Sequence, residues 1–189
     1  MDQDRRTRRT KKLLTDAFVE LLAQKKLNEI SVKELCEKAD INRGTFYLHY
    51  QDIYDLKQQI EGDLYTELTA LIMPFPNVKE LDSYQLFYHM FSFTKKNADI
   101  FRALLGPNGD ISFLTNLNTL FKQYYLSPLM QGQPISYVRN IEYAYDFASA
   151  GFTGLVTSWL ASDTNCSIEE MAKLTSKMVF EGLPALLPE

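Results

Sequence analysis

Cysteine and histidine are scarce in this chain, and their placement excludes most site chemistry. Cys36 and Cys166 lie far apart and form no metal-ligand spacing, so both read as free thiols, with Cys36 on an apolar helix face that points inward. His49 and His89 have no third ligand, nucleophile or orienting carboxylate spaced beside them, which leaves neither a metal site nor catalytic residues to name. No glycine-rich phosphate loop is present. The chain is therefore not expected to be an enzyme or to need a cofactor. No apolar run approaches the roughly 20 residues that span a bilayer, and the N-terminus is polar and basic without the apolar segment of a secretory signal, so a cytoplasmic location is expected and no membrane partner. No stretch alternates with the two-residue period of a strand. The expectation is an all-α protein of about nine helices.

Positive charge is also in short supply. Twenty Lys and Arg stand against 24 Asp and Glu, a net charge of −4 that by itself argues against a nucleic-acid partner. Its distribution argues the other way. Residues 1–60 hold twelve basic against ten acidic residues, and the remainder eight against fourteen. Arg5, Arg6, Arg8, Arg9, Lys11 and Lys12 form a dense cluster that suits an arm along phosphates or into a minor groove. The same cluster also fits a merely solvated tail.

The stretch that decides between these readings is residues 31–50, SVKELCEKADINRGTFYLHY. Ser31 and Glu34 match a capping box, so a helix starts near Val32. Val32, Leu35, Cys36 and Ala39 recur on one helical face while Lys33, Glu34, Glu37 and Lys38 stay in water. The pattern breaks at Ala39-Asp40-Ile41, where Asp tolerates a left-handed turn residue. Asn42 then offers an N-cap to a second helix over about 43–48, with Phe46 and Tyr50 inward. Two short helices joined by a tight turn are the shape of a helix-turn-helix, whose second helix enters the major groove with its N-terminal residues at base edges. On that reading Arg43 reads a base, Gly44 lets the backbone approach the duplex, and Thr45, Tyr47 and His49 reach phosphates. The alternative is a helix pair with an ordinary solvated face.

The run ADINRGTFYLHY closely resembles the signature of the TetR (tetracycline-repressor-like) family of bacterial regulators, over about residues 9–56. Leu13, Leu14, Ala17, Phe18 and Leu21 match the first-helix hydrophobics, Ser31 the cap, and Gly44, Thr45, Phe46, Tyr47, His49 and Tyr50 the recognition helix. Two positions depart from the pattern. Asp40 stands where glycine is usual, and Ile53 stands where a lysine commonly begins the fourth helix and holds a phosphate. The candidate DNA-contacting set is Arg5, Arg6, Arg8, Arg9, Lys33, Asn42, Arg43, Gly44, Thr45, Tyr47 and His49.

Leu13, Leu14, Ala17, Phe18, Leu21 and Leu22 predict a first helix over about 10–24 that completes a three-helix head, residues 1–52. Residues 53–189 form the second expected domain. Ile53, Leu56, Ile60, Leu64, Leu68 and Leu71 mark a long fourth helix ending at Met73-Pro74-Phe75-Pro76. Further helices start at Asp82 or Ser83, run through Ala98 to Leu105 up to the stop at Gly106-Pro107-Asn108-Gly109, and run from Phe113 to Tyr124. The eighth spans about 136–161, and the ninth about 167–187 from a second capping box at Ser167 and Glu170.

Nineteen of the 24 aromatic residues lie beyond residue 60. Tyr84, Phe87, Tyr88, Phe91, Phe121, Tyr124, Tyr125, Phe152 and Trp159, with His89 as a polar handle, are candidates to line a small-molecule cavity, although aromatic stripes at helical spacing also make plain core. Ala144, Ala148, Ala150, Gly151 and Gly154 leave the eighth helix small on part of its surface, which admits close packing within the chain or against a partner. The resemblance implies a homodimer formed by a four-helix bundle of the last two helices of each subunit, with Ala144, Ala148, Gly151 and Gly154 at the interface. It also implies a small-molecule effector. The expected function is a homodimeric, ligand-responsive repressor on a palindromic operator in double-stranded DNA. The alternative is a regulator-shaped co-regulator that acts by protein contact, since Ile53 removes a phosphate ligand.

Overall fold

The computed structural model describes residues 2–72, 82–109, 111–162 and 165–182, and of residues 2–4, 72, 111, 124, 125, 128 and 129 the backbone alone. Among these residues all regular structure is helical, in nine helices. They are α1 (Asp2–Leu22), α2 (Val32–Ala39), α3 (Arg43–Tyr47), α4 (Ile53–Ile72), α5 (Ser83–Lys96), α6 (Ala98–Leu105), α7 (Ile111–Phe121), α8 (Ile135–Ala161) and α9 (Ile168–Phe180). A 3₁₀ turn at Leu27–Glu29 follows α1. Helix α7 continues through a π-helical turn at Lys122–Leu126 into Ser127–Met130, with the Ser127 N–H bonded to the Lys122 carbonyl five residues back. Pro128 has no N–H for the carbonyl four residues before it, and the widened turn falls just ahead of that gap.

Packing divides the chain into two compact units: residues up to Thr66 with Asp99–Phe113, and Glu67–Ala98 with Leu114 onward. The first unit reaches past residue 52 because the inward face of α4, with Ile53, Leu56, Ile60 and Leu64, is buried like the head itself. Leu14 and Phe18 of α1, Leu35 and Cys36 of α2 and Phe46 of α3 supply the rest of that head core. Lower in the same unit, the rings of Tyr65 and Phe101 pack on Phe113 at 5.6 and 5.9 Å. On α4, Lys57 and Glu61 are both buried and pair one turn apart at 2.8 Å. Removal of either partner strands a buried charge, which is more costly than the pair is stabilising.

The second unit is built on α5 against α9. Small and apolar residues of α9, Met171, Ala172 and Thr175, are buried there, and Ser83 Oγ meets Ser176 Oγ at 2.6 Å. Thr175 is buried at no polar cost because its hydroxyl donates to the Met171 carbonyl at 2.7 Å. Phe91 and Trp159 pack edge to face at 5.2 Å in the centre of this unit, and Trp159 Nε1 donates to the Cys166 carbonyl at 2.8 Å.

Several boundaries differ from expectation. Helix α1 begins at Asp2 rather than near residue 10, so the basic cluster is helical and not an extended arm. Ser31 Oγ accepts from the Glu34 N–H at 3.2 Å, but the reciprocal half of that box is replaced by an ion pair from Glu34 to Lys25. The box at Ser167 and Glu170 is complete, at 3.1 and 2.8 Å. The expected end of the fourth helix at 73–76 lies outside the described residues, whereas α9 stops at Phe180 rather than near 187, where Gly182 at φ 80° donates its N–H to the Lys177 carbonyl at 3.0 Å.

Candidate functional site

The head's recognition face is held by its turn. Asp40 adopts φ 53°, ψ 44°, the single non-glycine residue of positive φ among those described, and the Ile41 N–H bonds the Cys36 carbonyl at 3.0 Å. That 6→1 bond closes α2 in the manner of a Schellman motif and turns the chain sharply into α3. Asn42 Oδ1 then accepts from the Gly44 N–H at 2.8 Å, while its carbonyl takes the N–H groups of Thr45 and Phe46. Helical bonding extends past Tyr47, since the Tyr50 N–H still reaches the Phe46 carbonyl at 3.0 Å. Phe46 is fully buried and Tyr50 nearly so, with Lys11 Nζ 5.9 Å over the Tyr50 ring. Burial, then Asp63 and Asp55, push the Tyr50 phenol up to about 12, so this anchor stays neutral.

At 100° per residue, the direction opposite Phe46 and Tyr50 belongs to Gly44 and Leu48, flanked by Thr45 and Tyr47. Arg43, Gly44, Tyr47 and Leu48 are exposed, and Thr45 and His49 are half-buried. Gly44, Thr45 and Tyr47 thus lie toward the outward side of α3, while Arg43, exposed at the first helical position beside the exposed Asn42, and half-buried His49 fall nearer its flanks. Lys33 is exposed on α2 and within 3.9 Å of Glu37, and Arg5, Arg6, Arg8 and Arg9 are exposed along the first turns of α1. Ile53 is buried, so its side chain serves the core of the head.

One further exposed residue of α3 was not expected: Leu48, 80% exposed, and at the start of α4 Tyr54 is 57% exposed. The signal for Leu48 was available: it falls opposite Phe46 and Tyr50 in the same helical count that places those two inward.

The second unit contains a cavity of about 210 Å³. Helix α5 contributes Leu86, Phe87 and Met90, α7 and its π turn contribute Leu117, Asn118, Phe121 and Leu126, and α9 closes one side with Val179 and Phe180. The α8 wall is Tyr145, Ala148, Ser149, Phe152 and Thr153. Of the aromatic candidates, Phe87, Phe121 and Phe152 line this cavity. Phe91 and Trp159 do not, because they are buried against each other as core. Tyr84, Tyr88 and His89 lie on other parts of the α5 surface and are absent from the lining, and Tyr124 and Tyr125 have side chains outside the described set. The polar groups that do line it, Asn118, Tyr145, Ser149 and Thr153, lie outside the expected aromatic set, Tyr145 included although it carries a ring. Tyr145, Ser149 and Thr153 recur every four residues, a stripe readable from sequence. The Tyr145 hydroxyl donates to the Asn118 carbonyl at 3.2 Å, and burial, then Asp146, raise its pKa to about 12.

The remaining face of α8 is bare. Ala144, Gly151 and Gly154 are exposed, and a Cβ added at either glycine meets nothing within 4 Å. Beside them Tyr143 is 68% and Phe147 83% exposed. Packing among the described residues therefore does not account for Gly151 and Gly154. Ala148 departs from the expected interface set, since it sits on the cavity wall.

Residues 82–181 match the family profile TetR_C_8, described as a transcriptional regulator C-terminal region. The chain is 24% identical over 169 residues to YxbF, an HTH-type transcriptional regulator of Bacillus subtilis, covering 87% of this chain and 43% of that protein. It thus spans less than half the length of that relative. Two solved structures share the fold: the fatty acid degradation regulator FadR from Bacillus halodurans, with a TM-score of 0.62 at 18% identity over 92% of this chain and 96% of that one, and FadR from Bacillus subtilis in complex with stearoyl-CoA, with a TM-score of 0.61 at 15% identity over 90% and 98%. With a helix-turn-helix head ahead of a matched C-terminal region that covers more than half its length, the chain belongs to the TetR family of transcriptional regulators.

Proposed function

We propose that this chain is a homodimeric repressor that reads an inverted-repeat operator with residues 1–52 and takes a small-molecule effector and its dimer partner with residues 53–189. The observation that carries the DNA reading is the outward patch of α3. A helix capped by Asn42 and anchored by buried Phe46 leaves Arg43, Gly44, Tyr47 and Leu48 exposed and Thr45 half-buried, and the same head carries four exposed arginines on α1. Arg43 at the first helical position suits a guanine edge, and Tyr47, His49 and Lys33 suit phosphates. The exposed aromatic and glycine face of α8 supports association of two chains, which doubles the reading heads for a two-fold operator. The cavity supports an effector. That a fold neighbour holds stearoyl-CoA, and that another regulates fatty acid degradation, supports an effector with an apolar body.

Selection of duplexes from a random pool by the purified protein tests this reading. An inverted repeat should emerge, with half-sites about one helical turn apart or a multiple of it, roughly 34–36 Å. Affinity should fall steeply with salt as Lys and Arg displace counterions, and replacing Arg5, Arg6, Arg8 and Arg9 by Ala should flatten that slope. Equal affinity for all duplexes would instead favour action through protein contact.

A further inference from the structure

Among the described residues the cavity wall carries no charge, since its lining contains no Lys, Arg, His, Asp or Glu. Lys122, adjacent in sequence to the lining residue Phe121, is already committed: its ammonium pairs with Asp146 at 2.7 Å and lies 5.4 Å over the Tyr145 ring. An ionised carboxylate, phosphate or ammonium inside such a wall loses its hydration and finds no compensating partner. The volume of about 210 Å³ also falls below the ~300–1,000 Å³ of drug-sized pockets.

The hydroxyls restrict the ligand further. Tyr145 donates its proton to the Asn118 carbonyl at 3.2 Å, Ser149 to the Asp146 carbonyl at 3.2 Å, and Thr153 to the Ser149 carbonyl at 2.9 Å. Each hydroxyl has one proton and two lone pairs, so all three are left as acceptors. Asn118, whose carbonyl takes the Tyr145 proton, lines the cavity beside them, and its side-chain amide adds a donor. A ligand hydroxyl can satisfy both kinds at once, donating to α8 and accepting from Asn118. An ether or ester cannot donate.

We propose that the effector of this cavity is a compact, uncharged amphiphile with an apolar body and one hydroxyl group, an aliphatic or aryl alcohol, rather than a fatty acid or an acyl-coenzyme A. This rests on the reading of the cavity as the effector site.

Calorimetric titration of the full chain with 1-octanol, octyl methyl ether, octanoate at pH 8, octanoyl-coenzyme A and octyltrimethylammonium tests it. 1-Octanol should bind, the ether about tenfold more weakly for want of one hydrogen bond, and the charged congeners more weakly again. Ala148→Phe, which fills the cavity, should abolish binding, with Met90→Trp as the second filling variant where the first does not fold. Ser149→Ala with Thr153→Val should lower octanol affinity about tenfold and erase the alcohol-over-ether preference. Charged congeners that bind as tightly as octanol, with binding lost on filling, would overturn the ligand class and leave the site standing. Octanol binding that survives filling, or no binding by any congener, would overturn the site as well.

Discussion

Replacement of Gly44 by Ala separates DNA approach from folding. Within the isolated chain the added Cβ lies 3.3 Å from one atom, Asn42 Oδ1, the same oxygen that accepts the Gly44 N–H at 2.8 Å. Asn42 must yield by a few tenths of an ångström, which weakens a cap worth about 1 kcal/mol. Against that, Ala is favoured over Gly inside a helix by roughly 0.5–1 kcal/mol. The two effects oppose each other, so unfolding stability should change by less than about 1 kcal/mol. On DNA nothing offsets the methyl. It projects from the outermost side of α3, and overpacking a close contact costs about 1–3 kcal/mol, a roughly 5- to 150-fold loss per head, incurred at both heads of a dimer. Urea denaturation and fluorescence anisotropy on the selected operator measure the two quantities. Operator affinity within twofold of the parent chain would show that Gly44 does not meet the duplex. A loss of affinity matched by an equal loss of stability would assign the effect to the cap.

Four further outcomes follow from the same geometry. Asp40→Gly should raise stability by roughly 0.5–1 kcal/mol in thermal melts, since φ 53° is strained for any residue with a Cβ; no gain would mean that the Asp side chain itself stabilises the turn. Arg43→Ala should relax base preference at one position per half-site, by roughly 1–3 kcal/mol, whereas Tyr47→Phe should weaken all sequences alike, and identical specificity profiles would refute the division between base reader and phosphate holder. The Asp55 carboxylate accepts from the Gln51 N–H and that of Glu170 from the Ser167 N–H, and each is held below its ordinary range. Their contribution is complete above about pH 5 and lost as pH falls through the lower folded values, so Asp55→Asn with Glu170→Gln should flatten acid unfolding in that window. Gly154→Leu, free of any clash within one chain, should leave the melting temperature of the monomer unchanged and yield monomers in sedimentation with operator binding lost; persistent dimers would move the interface elsewhere.

How far residues reveal the structure depends on how local the deciding interaction is. The second capping box, the Asn42 cap, the left-handed Asp40 and the inward Phe46 and Tyr50 are settled within four residues, and the structure has them as read. Helix periodicity likewise supplied nine helices. What escaped was anything decided across the chain or by a missing bond. Glu34 abandons half of its expected box because Lys25, nine residues away, offers a charge. The π turn before Pro128 arises from an absent N–H, which a pattern of apolar residues does not register. The aromatic candidates divided for the same reason: Phe87 and Phe91 lie one turn apart on α5, yet Phe91 is sealed by Trp159 while Phe87 reaches the cavity. No spacing within α5 distinguishes them, since a residue on the far side of the unit does.

The eighth helix is where the two halves of the proposed function would meet. Counted at 100° per residue, Tyr145, Ser149, Phe152 and Thr153 centre on one side of α8, and Phe147, Ala150, Gly151 and Gly154 on the other, close to a half-turn away. The first set lines the cavity and the second is exposed. One helix thickness, about 10 Å with side chains, therefore separates a ligand from whatever covers the bare face. Gly151 and Gly154 each lower the helix preference of that segment by roughly 1 kcal/mol relative to Ala, so the helix is least stiff where both surfaces load it. A ligand shifts a subunit arrangement only by its difference in affinity for the two arrangements. A rigid α8 would transmit such a difference as a displacement of the whole helix, whereas a helix softened at two glycines converts it into local bending, directly beneath the face available to a second subunit.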